Sequence, residues 1–218
     1  LLDRPLWGKR ELSVNTAPSF EPDRKLYAGL RYQPSAATPL TAREGGVIQK
    51  FLRAAQSRHI KTYLQVQAAI PPGYRVQFGG PVDDDKPRLP DGRVPPRRLA
   101  NNGSLASPHI VDYTVALARD LVRAYPDIDG FRFDWPEYPP YFLDDVFLDF
   151  NPHCQSAAAR LGFDFPRMQR AVLELYRLFH GGLTNRHLER ALSLDGGRNA
   201  LLTGLIDSPG LLDWLRFK

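Results

Sequence analysis

The chain has 218 residues, 43% of them hydrophobic, and a formal net charge of +5 from 29 basic and 24 acidic side chains. That is enough apolar material for one ordinary domain, and 1–218 reads as a single domain. No apolar run is long enough to cross a bilayer, and the mild basic surplus is spread along the chain, its densest spot, Arg97-Arg98, lacking the interleaved aromatics of a nucleic-acid stripe.

Taken in chain order, residues 11–16 suggest a short strand, followed by a proline-containing connection to Leu40. Thr41-Ala42-Arg43-Glu44 fits a capping box, in which Thr and Glu side chains satisfy free backbone N–H groups, and Ile48, Phe51, Leu52 and Ala55 then fall on one helical face. Residues 60–67 read as a strand. A long loop rich in Pro, Gly and Asp spans residues 68–106; its Asp83-Asp84-Asp85 run lacks the spacing of a calcium loop and reads as a solvated turn. Ser107-Pro108 supplies an N-cap and a first-turn proline, and Ile110, Thr114, Leu117, Ala118, Leu121 and Tyr125 make the buried stripe of the helix that Pro126 stops. Residues 129–134 are the next strand, and residues 135–152 an aromatic-rich loop. A helix from about Pro166 to His180 carries Met168, Val172, Leu175, Tyr176 and Phe179 inward and ends at Gly181-Gly182. Short helices are expected after Thr184 and at Ser208-Pro209.

Alternating strands and helices imply a parallel sheet with helical crossovers. Each strand has one apolar and one polar face: Ile60, Thr62, Leu64 and Val66 oppose Tyr63, Gln65 and Gln67, and Phe131 and Phe133 oppose Gly130, Arg132 and Asp134. A doubly wound sheet would be apolar on both faces, so the expected fold is a (β/α)8 TIM barrel whose polar faces line its mouth. Only three or four βα units are visible, which makes the chain an incomplete portion of one. Leu1 is not an encoded start, Met168 being the only Met, and the chain stops in the amphipathic run 211–218; both ends read as cuts through a larger protein.

The candidate catalytic residue is Asp134, which ends a strand on the same face as Arg132. An arginine two positions before a carboxylate can hold it ionised and aimed, the state a glycosidase nucleophile needs. Glu137 follows within about 10 Å of chain. Trp135 and Tyr138 offer aromatic faces to sugar rings, Tyr63, Gln65 and Gln67 line the same strand face as a potential sugar contact, and Asn101 joins these binding candidates, although Asn101-Asn102 also suits a cap or turn. The competing reading makes Arg132 and Asp134 a structural ion pair and the aromatics a minor core.

The run Asp129-Gly130-Phe131-Arg132-Phe133-Asp134 resembles the fourth-strand signature of α-amylase-type glycoside hydrolases, and Asp134-Trp135-Pro136-Glu137-Tyr138-Pro139 is more similar to uncharacterised bacterial glycoside-hydrolase-like barrels. The resemblance implies Asp134 as nucleophile and Arg132 as its orienting partner, with a general acid on a following strand that this chain does not reach. The function expected is therefore hydrolysis of glycosidic bonds by the full-length protein, with this stretch inactive alone; the alternative is a carbohydrate-binding barrel without catalysis. No cofactor and no metal are expected: Cys154 is the lone cysteine, adjacent His153 gives poor joint geometry, and no phosphate-cradling glycine motif occurs. The expected partner is a carbohydrate, without nucleic acid or membrane. The lone thiol slightly favours the cytoplasm, and the oligomeric state is not readable.

Overall fold

The computed structural model describes residues 18–69, 81–98, 102–134, 138, 140–193 and 207–218. They form two compact units, one assembled from Leu1–Val82 with Leu99–Glu137 and the other from Asp83–Arg98 with Tyr138–Lys218.

In the first unit a 3-10 turn over Arg24–Tyr27 precedes α1 (Pro39–Glu44) and α2 (Val47–Gln56). Thr41 is not the N-cap. The helix starts earlier, at Pro39, and Thr41 Oγ1 accepts the Thr38 N–H at 3.1 Å while donating to the Pro18 carbonyl at 2.9 Å. Gly45-Gly46 then separates α1 from α2. Strand β1 covers Tyr63–Gln67, α3 covers Pro108–Ala124 and β2 covers Gly130–Asp134. Ser107 caps α3 as its sequence implies, its Oγ accepting from Ile110 N–H.

The inner face of α3 differs from the expected stripe: Tyr113, Ala116 and Asp120 are buried beside Ile110 and Leu121. The reason is polar. Asp120 is sealed from solvent yet fully engaged, by Arg123 at 2.8 Å, the Tyr27 hydroxyl at 3.1 Å and the Asp23 N–H. A buried carboxylate with such partners is tolerated where an isolated one is not. Burial and Asp120 together push the Tyr27 hydroxyl far above its ordinary range.

The strands pair in parallel, Tyr63 opposite Gly130 through Gln67 opposite Asp134. Leu64, Val66 and Phe131 pack on Leu52, Leu121 and Tyr125. Among the described residues β1 and β2 are the whole sheet, and the elements are otherwise helical. The chain is a mixed α/β protein and not a TIM barrel, complete or partial. The alternation that suggested a barrel is real in both strands, but it reports only that one face is covered. A two-stranded sheet lying on α2 and α3 satisfies it equally. The strand expected at residues 11–16 lies outside the described residues.

The second unit is helix on helix. It contains α4 (Leu143–Val146), α5 (Pro152–Arg160), α6 (Phe165–Arg177), a π turn over Leu178–Gly182, α7 (Asn185–Leu192) and α8 (Pro209–Phe217). Phe165, Met168, Val172 and Tyr176 form the inner face of α6, whereas Phe179, expected there too, is largely exposed beyond the helix. Gly210 lets α8 meet α6 closely: a Cβ there would stand 2.8 Å from both Ala171 Cβ and the Arg167 carbonyl oxygen. Residues 83–98 enter this unit through buried polar links. Arg98 pairs with Asp145 at 3.2 Å, both sheltered from solvent, Asn151 Nδ2 donates to the Asp84 and Lys86 carbonyls, and the Arg88 N–H donates to Asp149. Asp85 is fully buried with His153 Nε2 at 3.2 Å, so the acidic run is not a solvated turn throughout, although Asp83 and Asp84 stand out in solvent. Among the described residues no helix is long and apolar enough to cross a membrane.

Candidate functional site

Period-two alternation puts Tyr63, Gln65 and Gln67 of β1 and Gly130, Arg132 and Asp134 of β2 on the sheet face opposite the Leu64–Val66–Phe131 core contact. Five of the residues singled out from the sequence, Tyr63, Gln65, Gln67, Arg132 and Asp134, thus share one polar face of one parallel pair. Its C-terminal end is closed by the Ala68 N–H, which donates to the Asp134 carbonyl at 2.7 Å.

The side-chain geometry departs from expectation at one point. Among the described residues Arg132 and Asp134 form no ion pair; the Asp134 carboxylate instead accepts from Gln65 Nε2 at 2.7 Å. Gln65 stands opposite Arg132 in the register, so this bond runs diagonally to the next rung. Diagonal neighbours on one face of a strand pair lie about 7–8 Å apart, still within reach of a long side chain, and the Gln65 amide spans that gap. Gln65 therefore does the orienting assigned to Arg132.

Tyr63 lies against Gly130, where an added Cβ would come within 3.2–3.3 Å of the ring edge. The missing side chain is what admits the ring, and 62% of Tyr63 remains exposed. Gly130 matters here through close approach rather than backbone freedom: any side chain would make the Tyr63 ring give way by a few tenths of an ångström.

The first aspartate of the motif has a purely structural task that the sequence reading passed over. Asp129 accepts from Lys61 Nζ at 2.7 Å and from the Thr62 N–H at 2.8 Å, while its own N–H donates to the Thr62 carbonyl. It fastens the entry of β2 to that of β1. The hydrogen bond from Lys61, with help from the Thr62 N–H, lowers the Asp129 pKa below the usual carboxylate range. The visible signal was Asp129 placed immediately before β2, with Lys61 two residues before β1.

Tyr138 belongs to the second unit, where it is buried with its hydroxyl donating to Asp149 at 2.9 Å. Trp135, Glu137 and Asn101 lie outside the described residues. A second titratable cluster, unforeseen from the sequence, joins His180 to Asp144. His180 Nε2 lies 2.7 Å from Asp144 Oδ1, its Nδ1 lies 2.8 Å from the Tyr176 carbonyl oxygen, and the ring stacks on Tyr176. Both nitrogens thus face acceptors within the protein. Among the described residues no group of His, Cys, Asp and Glu is arranged to hold a metal ion.

No protein family, curated protein or solved structure matches this chain. Function rests on the site. An aimed carboxylate, two primary amides, a guanidinium and an exposed aromatic ring on one surface supply acceptors, donors and an apolar platform. That inventory suits a ligand that is polyhydroxylated on its edges and C–H-bearing on its faces.

Proposed function

We propose that the polar face of the β1–β2 pair binds carbohydrate and that Asp134 is the carboxylate nucleophile of a glycoside-hydrolase activity of the full-length protein. The observation that carries this reading is the Gln65–Asp134 hydrogen bond at the C-terminal end of the parallel pair. It holds one carboxylate oxygen and leaves the other to act, at the strand end where ligands gather in α/β sheets. Tyr63 supplies the stacking surface and Gln67 a further hydroxyl partner.

Glycoside cleavage uses two carboxyl groups. Among the described residues Asp134 is the single carboxylate on this face, which favours, as a second reading, a surface that binds sugars without cleaving them.

The test is a glycan-binding and glycosidase screen of the full-length protein, followed by Asp134→Asn and Tyr63→Ala. Asn keeps an acceptor for Gln65 but is no nucleophile, so turnover is expected to fall by about three orders of magnitude or more with the melting temperature nearly unchanged. Tyr63→Ala is expected to weaken binding of every glycan that binds. Cleavage by Asp134→Asn at the wild-type rate removes the nucleophile assignment. Binding without cleavage selects the second reading, and the absence of any glycan binding defeats both.

A further inference from the structure

Arg132 is exposed on β2, two residues from a carboxylate that has turned away to Gln65. Among the described residues it takes part in no ion pair, whereas Lys61, near the entry of β1, is held by the Asp129 carboxylate. Its register partner is Gln65, with the Tyr63–Gly130 pair one same-face rung back and the Gln67–Asp134 pair one rung on. An arginine used to orient Asp134 would be spent on it. This one is not, because Gln65 has taken that task.

We infer that the sugar held on this face carries a carboxylate, a uronate residue, and that Arg132 is the residue that selects it. The inference rests on the carbohydrate reading above and names its substrate class. The planar guanidinium fork matches a carboxylate bidentately, and it presents its charge on a face whose remaining donors are neutral, the Gln65 and Gln67 amides and the Tyr63 hydroxyl. Asp134 shares this face, so a uronate must approach with its carboxylate on the Arg132 side and its hydroxyl edge toward Asp134. A neutral sugar can take only single hydrogen bonds to its hydroxyls from the guanidinium, without the bidentate charge pairing.

The experiment uses the full-length protein and two probes that differ chiefly in charge, a galacturonate oligomer and its methyl ester, with a neutral galactose oligomer as reference. Binding is measured by titration calorimetry at low and high salt. The free acid is expected to bind about tenfold more tightly than its ester, as suits a charge-assisted hydrogen bond, and high salt is expected to erase much of that margin. Arg132→Gln, an exposed substitution with little consequence for folding, is expected to weaken the acid far more than the ester and so bring the two together. Arg132→Lys is expected to keep part of the margin. Equal binding of acid and ester by the unaltered protein overturns the inference and leaves the carbohydrate reading standing, as does a margin that survives Arg132→Gln. Failure of all three probes and of the wider glycan screen overturns both.

Discussion

Within the run Asp129-Gly130-Phe131-Arg132-Phe133-Asp134 four residues have separable structural tasks. Asp129 fastens the strand entries, Gly130 admits the Tyr63 ring, Phe131 joins the core, and Asp134 is held by Gln65. Because the folded state lowers the Asp129 pKa, its carboxylate stabilises the fold at pH values above the ordinary carboxylate range, and this contribution disappears as pH falls through the lowered value. Asp129→Asn is therefore expected to lower stability at neutral pH and to match the unaltered protein in strong acid. Denaturant melts taken from neutral to acid pH measure the closing gap. The group is solvent-exposed, so added salt should narrow the gap at neutral pH as well. Legibility at this scale was divided. The shared face of Arg132 and Asp134 follows from strand periodicity alone. The identity of the partner that takes Asp134 depends on how β1 aligns with β2, and two segments separated by 62 intervening positions in sequence do not announce their register.

At the scale of elements, caps were the most legible signal. Ser107-Pro108 starts α3 and Ser208-Pro209 starts α8, each where an N-cap followed by proline says it should. Asn151-Pro152 carries the same grammar and starts α5, its Asn151 side chain accepting from His153 N–H. It went unread because the preceding aromatics made residues 135–152 look like one loop. The inner face of α3 was less legible, since hydrophobic periodicity has no means of nominating Asp120 for burial. Packing between α6 and α8 turns on one glycine. Gly210→Ala would drive a methyl group into Ala171 and into the Arg167 carbonyl, and backbone cannot step aside as a side-chain tip can. A loss of about 1–3 kcal/mol is expected, the usual cost of overpacking, read as a lower midpoint in denaturant. Adding Ala171→Gly should restore only part of it, because the carbonyl contact remains.

The barrel expectation failed at the scale of the whole molecule. One-sided strands tell how many faces are covered; they do not tell how many strands share the sheet, and here the helices of the second unit pack on one another instead. That unit depends on a distant stretch of chain. Arg98 and Asp145 are both shielded from water, and removing one partner strands the other's charge. Arg98→Met is expected to cost about 3–5 kcal/mol, with Arg98→Met combined with Asp145→Leu recovering much of it. Hydrogen exchange should locate the damage: amides of α5 and α6 lose protection while those of β1 and β2 keep most of theirs, since each unit has its own packed interior. Uniform loss across the chain would show instead that the two melt as one.

The interleaving of the units also sets a timetable for synthesis. Residues 83–98 leave the ribosome before β2, yet Arg98 must wait for Asp145, 47 positions later. At about 5–20 residues per second that wait is roughly 2–9 s. Throughout it the nascent chain displays an arginine destined for burial and the Leu89 side chain, which the finished protein seals completely. The proline, glycine and aspartate content of this stretch, which reads on paper as a mere loop, gives it little tendency to pair with a neighbouring strand edge in the meantime.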